Sequence, residues 1–116
     1  MNQVRNQVVL IGHLGADPEI RDYDNGKKMA RISLATNEYY KNADGEKLTT
    51  TQWHNCVGWG KMAELMGQLL EKGKEVALQG KLNHRSYEDD TGSKRQFTEI
   101  IINDFVLLGS KKVEEV

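Results

Sequence analysis

Trp53 and Trp59 are the only tryptophans in the chain, and six residues of extended backbone would hold their rings roughly 20 Å apart on one surface. Side chains of a strand alternate between faces, so Trp53, Asn55, Val57 and Trp59 share one side, and His54, Cys56 and Gly58 share the other. Rings that far apart cannot touch each other; they suit two separate contacts along an extended partner. The same alternation would also serve a hydrophobic core, where strand aromatics commonly sit. Tyr40 and Tyr87 add two more rings, and Arg31, Lys61, Lys72 and Arg85 add positive charge. Lys27, Lys28, Lys94 and Arg95 are further candidates for phosphate neutralisation. Rings interleaved with cations are what unpaired nucleobases require, because every base has a π-face and stacking contributes roughly 1–3 kcal/mol per base.

Other chemistries find little support. His54 and Cys56 share a strand face, but His13 and His84 have no ligand spacing to them, so no metal site is expected. No Ser-His-Asp set, paired-carboxylate motif or phosphate-cradling glycine loop is visible, so neither an enzyme nor a cofactor site is expected. A lone cysteine, Cys56, excludes an internal disulfide and suggests a reducing compartment. No apolar run approaches the ~20 residues of a membrane span. The Val8–Ile11 run is too short for a signal-peptide core. These readings place the chain in the cytoplasm, with no membrane partner. The net charge of −1 argues against a nucleic-acid partner as a sum over the chain. What governs binding is how charge is distributed over one surface.

The elements that must position these side chains follow from periodicity. A strand is expected from Val4 to Leu14, apolar on both faces around Val8–Ile11 and therefore covered on both sides. Asn25-Gly26 marks a hairpin between Ile20–Tyr23 and Lys28–Thr36. In its second arm Ala30, Ile32 and Leu34 form the core face, which turns Arg31 outward. Asp44-Gly45 marks a second hairpin between Glu38–Lys41 and Lys47–Thr51, whose tip carries Tyr39 and Tyr40 on opposite sides. The tryptophan strand follows and Gly60 closes it. Met62, Leu65, Met66, Leu69 and Leu70 then form one apolar stripe of a helix from Lys61 to Lys72, with Gly73 as its left-handed cap. Val76, Leu78 and Leu82 define the next strand, with Gly80 on its core face where a missing side chain permits tight curvature. After the loop Asp89–Ser93, Lys94–Leu108 is the last strand.

Three strands, one helix and two strands match an all-β OB-fold, a five-stranded Greek-key barrel with its helix between strands three and four. One domain is expected at 1–109, followed by a short charged tail at 110–116. Such barrels bind ligands on the face of strands two and three and with their long loops. Arg31, Tyr40, Trp53 and Trp59 belong to that region, and Tyr87 to the loop between strands four and five. That gathering favours a binding surface over a core.

At these residues the chain resembles the bacterial single-stranded DNA-binding protein family, over nearly all of its first 110 residues. The matching segments run from Asn6 to Arg21, Ile32 to Thr36, Thr51 to His54, Trp59 to Glu64, Lys72-Gly73 and Gly80 to Leu82. Together, in order and at family spacing, they are highly specific. The resemblance implies an OB-fold that binds and protects single-stranded DNA in replication, recombination and repair. It implies a homotetramer, a dimer of dimers, in the nucleoid-associated cytoplasm. The family's stacking aromatics fall on Tyr40, Trp53, Trp59 and Tyr87, two of them Tyr where relatives often carry Trp. It also implies that His54 lies at a subunit interface. The first strand, with Val4, Asn6 and Val8, would pair with its copy in another subunit. Asn55 and Ser86 stand where relatives commonly carry basic residues, which reduces the expected electrostatic part of binding. Relatives usually continue through a Gly/Pro/Gln-rich linker to an acidic tip that recruits replication and repair proteins. This sequence closes at Lys111-Lys112-Val113-Glu114-Glu115-Val116, either as a piece of a longer chain or as a short paralogue, so the resemblance does not by itself carry recruitment of those proteins over to it. The competing functional class is a primosome-type OB-fold adaptor that acts mainly through proteins and assembles as a dimer.

Overall fold

Alternating apolar and polar residues fill most of the chain, and strands result wherever one face can be buried. The computed structural model describes residues 2–23 and 25–109. The charged tail at 110–116 and Asp24 of the first hairpin turn lie outside the described residues. The strands are β1 (Val8–Leu14), β2 (Glu19–Asp22), β3 (Lys28–Lys41), β4 (Lys47–Trp59), β5 (Glu75–Glu88) and β6 (Lys94–Leu107). The helix α1 (Lys61–Leu69) lies between β4 and β5, and a 3-10 turn spans Asn2–Arg5.

Sheet order is β1-β5-β6-β4-β3-β2, and β1 also pairs with β3. That additional pairing closes β1, β5, β6, β4 and β3 into a five-stranded barrel, with β2 continuing the sheet beside the start of β3. Every pairing is antiparallel except β4 with β6. This is the expected OB-fold, with its helix between the third and fourth barrel strands. Leu14, Ile32, Leu34, Cys56, Val76, Leu78, Ile100 and Ile102 fill the barrel, and Ala63, Met66 and Leu70 close its end. Gly80 sits at an irregularity of the β5–β6 register, where an added Cβ would lie 2.2 Å from the Ile101 carbonyl oxygen. Only a residue without a side chain lets the two backbones approach that closely.

Four expectations change. The first strand starts at Val8, and Val4 and Asn6 precede it. Asn6 substitutes its side-chain amide for a strand backbone: its Nδ2 donates to the Leu82 carbonyl at 3.0 Å, and its Oδ1 accepts from the Leu82 N–H at 3.0 Å. The segments of the expected second hairpin belong to longer strands, because β3 and β4 stay in register from Met29 opposite Trp59 to Lys41 opposite Lys47. The helix ends at Leu69, with Leu70 already extended, and Gly73 (φ 86°) serves a separate turn in which the Lys74 N–H donates to Glu71. Leu65 and Leu69, expected in the buried stripe, are exposed. The reason is the docking geometry: Met62 and Met66 rest on Gly58, where an added Cβ would meet the Met66 sulfur at 2.3 Å. The buried side of the helix is therefore centred on Ala63 and Met66.

The outer halves of both long hairpins leave the core. Residues 37–41 of β3 and 84–88 of β5 are exposed without a break, so neither face of either arm is covered. Two ribbons thus extend from the barrel, and most of the candidate rings lie on or beside them.

Candidate functional site

β4 presents its odd-numbered side chains outward. Trp53 is 62% exposed and Trp59 44% exposed, whereas Cys56 is fully buried on the opposite face. The indoles are therefore surface groups, not core groups. Val57 shares their parity yet is buried, since it lies opposite Arg31 on β3 and Ile101 on β6. The two rings are held differently. Trp53 lies down over Gly15, where an added Cβ would come within 2.6 Å of its Cζ3 atom. Trp59 stacks on Tyr23, with ring centroids 6.0 Å apart and planes inclined by 26°.

The unbroken β3–β4 register decides which tyrosine joins this face. Tyr39 stands opposite Thr49 and Tyr40 opposite Leu48. By alternation Tyr39 has the parity of Arg31 and Trp53, while Tyr40 has that of Leu34 and points to the other side of the ribbon. Both are exposed. The structure thus does not bring Tyr40 onto the indole face; Tyr39 takes that side. Tyr87, also exposed, stands opposite Arg95 near the tip of the β5–β6 ribbon. Its parity is that of Asn83 and Arg85.

The cations differ in how far they are already engaged. Arg85 donates from Nη2 to Glu99 Oε1 at 3.2 Å and lies over the Phe97 ring, 5.3 Å from its centroid. Glu99 is only 5% exposed and also accepts from Asn83 Nδ2 at 3.1 Å. Glu99 thus already engages Arg85, which leaves less of that guanidinium free for another partner. Arg31 is half-buried, its Nε without a partner among the described residues. Lys61 opens α1 immediately after Trp59 and Gly60, and its side chain is exposed. Lys72 lies farther along; its backbone N–H donates to Asp17 Oδ1 at 2.9 Å, two residues beyond the glycine under Trp53.

His54 is half-buried on the opposite face of β4, and its Nε2 shares a 3.0 Å hydrogen bond with Thr36 Oγ1. Val8 packs against its own core, and Val4 is exposed in the preceding turn. The outward apolar residues of β1 are Val9 and Ile11, which are exposed. Ile11 pairs with Ala77, and Ala77 with the exposed Val106, so an apolar row crosses three strands. Cys56 is closed off in the core, and burial pushes its thiol up to about 12. Among the described residues no group of His, Cys, Asp or Glu could hold a metal ion, and no helix is long and apolar enough to cross a membrane.

Glu99 and Tyr23 have no binding role in the sequence-based expectations, and Tyr39 enters them only as the ring opposite Tyr40 at the hairpin tip. Tyr23 carried a signal only for its place beside the Asn25-Gly26 hairpin turn, not for its stacking on Trp59. Glu99 carried none, because its partners lie 14 and 16 residues away and meet it only through strand pairing.

Comparisons with known proteins bear on the family and the fold. Residues 5–108 match the model of the single-strand binding protein family. The chain is 44% identical over 107 residues to single-stranded DNA-binding protein 1 of Chlorobaculum tepidum, covering 91% of this chain and 66% of that one. It is 39% identical over 106 residues to the single-stranded DNA-binding protein of Neisseria meningitidis serogroup A, covering 91% and 61%. The chain therefore spans somewhat under two thirds of the length of these curated relatives. Among solved structures, a Plasmodium falciparum SSB in complex with ssDNA superposes with a TM-score of 0.82 at 34% identity, covering 90% of this chain and 95% of that one. A deletion mutant of the Thermus aquaticus single-stranded DNA binding protein gives 0.79 at 30% identity, covering 91% and 51%.

Proposed function

The chain belongs to the single-strand binding protein family, and on that footing we propose that it binds and protects single-stranded DNA without regard to base order. In this reading residues 1–109 are the binding domain and bases stack on Trp53, Trp59, Tyr40 and Tyr87. Phosphates are met by Arg31, Lys61 and Lys72, with Arg85 contributing less because Glu99 already holds it. The observation that supports this best is the pair of exposed indoles on one face of β4. A stacking surface tolerates any base, because no hydrogen-bond pattern has to match. Tyr40 and Trp53 face opposite sides of their ribbon, so a strand touching both passes around its edge. No reaction is required of the protein; it acts by occupancy, in replication, recombination and repair.

The chain assembles as a homotetramer in this proposal, with the Ile11–Ala77–Val106 face and the region of His54 buried between copies, in the nucleoid-containing cytoplasm. The test is competition. Oligo-dT and a mixed-sequence single strand of equal length should displace a labelled oligo-dT equally well, and the corresponding duplex should not. The slope of log K against log salt should approach about −0.7 per phosphate contacted. Equal displacement by duplex would overturn the reading.

A further inference from the structure

Beside the indole of Trp59 lies a cleft of about 330 Å³ lined by Tyr23, Asn25, Lys27 and Trp59. Its size is at the lower end of small-ligand sites, which run from about 300 to 1,000 Å³. Both rings form its wall, and both keep much of their surface open, with Tyr23 41% and Trp59 44% exposed. The wall is fixed by the turn beneath it. The Tyr23 N–H donates to the Lys27 carbonyl at 2.8 Å, and the Gly26 N–H donates back to the Tyr23 carbonyl at 2.9 Å. The Lys27 N–H donates to Asn25 Oδ1 at 3.1 Å. The same corner is tied to the end of β4, where the Gly60 N–H donates to the Lys28 carbonyl at 2.8 Å. Tyr23 is thus a ring held in place against Trp59, with a lysine at the rim of the same cleft.

Building on the single-strand reading above, we infer that this cleft is an additional nucleotide subsite, in which a base lies against Tyr23 as well as Trp59 and Lys27 meets its phosphate. The base does not enter between the two rings. Their centroids are 6.0 Å apart, whereas two contact layers of about 3.5 Å each need about 7 Å. It lies instead on the open ring surface that both aromatics present to the cleft, with Tyr23 extending the stacking area that Trp59 offers alone. The bound strand therefore continues past Trp59 toward the β2–β3 turn.

The test measures binding of a fluorescently labelled oligo-dT by anisotropy to the full chain and to Tyr23→Phe, Tyr23→Leu, Tyr23→Ala and Lys27→Ala. Tyr23→Phe should bind within about twofold of the unaltered chain, while Tyr23→Leu and Tyr23→Ala should weaken binding by about fivefold to a hundredfold. Lys27→Ala should make the salt slope shallower by about 0.7. Leucine keeps an apolar support under Trp59 but offers no π-face. Wild-type affinity of Tyr23→Leu would therefore show that Tyr23 only props the indole, and would overturn the subsite. An unchanged salt slope in Lys27→Ala would remove the phosphate contact from it. Failure of the unaltered chain to bind oligo-dT at all is a different result, and rejects the proposed function itself.

Discussion

Gly15 matters because Trp53 lies on it. The indole carbons Cζ3 and Cη2 would be 2.6 and 2.9 Å from a Cβ at that position, too close for contact without movement. The backbone there is not in the left-handed region, so Gly15→Ala strains no dihedral, and the exposed end of the ring is what must shift. Such a change at the surface should alter stability by less than about 1 kcal/mol. It should weaken oligo-dT binding by about fivefold, because the ring no longer lies in its binding position. Thermal melting beside a binding titration checks this; a lowered melting temperature with unchanged affinity would go against it. Alternation puts Trp53 and Trp59 on one face and turns Arg31 outward, but it leaves open whether the tryptophan face is core or surface. Which support each ring rests on was not legible, since Gly15 and Tyr23 reach the indoles across the fold. Alternation puts Tyr39 and Tyr40 on opposite sides of the hairpin tip, and only the continuous β3–β4 register shows which side of the ribbon each occupies.

At the scale of elements, the two projecting ribbons have to hold their shape without a core. The β5–β6 turn does so through Asp89. Its Oδ1 accepts from the Thr91 hydroxyl at 2.7 Å and from the Thr91 and Ser93 N–H groups at 3.0 Å each, and its Oδ2 accepts from Arg95 Nε at 2.8 Å. The Thr91 hydroxyl first and then Arg95 lower its carboxyl from 3.8 to about 2. A carboxyl lowered in the folded state stabilises the turn above its unfolded value, and that contribution fades as pH falls through the folded value. The turn should stay ordered down to about pH 4 and loosen toward pH 2. The Thr91 and Ser93 amide resonances would report it. In Asp89→Asn that titration should vanish; its persistence would assign the effect to another group. Tyr87 stands opposite Arg95 on the same ribbon, so the turn also sets where that ring is held. Turn positions were readable from Asn25-Gly26, Asp44-Gly45 and Gly92. The end of α1 was not, because Leu70 keeps the helical spacing of apolar residues while its backbone is already extended (ψ 148°).

For the molecule as a whole, the barrel leaves one sheet surface unaccounted for by its own core. Ile11, Ala77 and Val106 lie side by side across β1, β5 and β6, and Val9, Ala77 and Val106 line a shallow groove there. Contiguous exposed apolar surface of this kind marks an interaction site. The proposed tetramer buries it, so Ile11→Glu together with Val106→Glu should reduce the molar mass found by light scattering from four chains to a smaller species. Retention of the four-chain mass would place the interface elsewhere. Barrel order and helix position followed from element order, while closure depends on the β1–β3 pairing of His13 with Ala35 and Leu14 with Leu34. That contact has no local signature in either strand. Single-strand binding as proposed depends on exposed indoles meeting unpaired bases, and tryptophan emission reads that contact directly. On titration with oligo-dT at low salt, emission should fall to a saturated minimum. Trp53→Phe and Trp59→Phe should each retain only part of the fall. Emission that stays level at saturating oligo-dT would contradict the account.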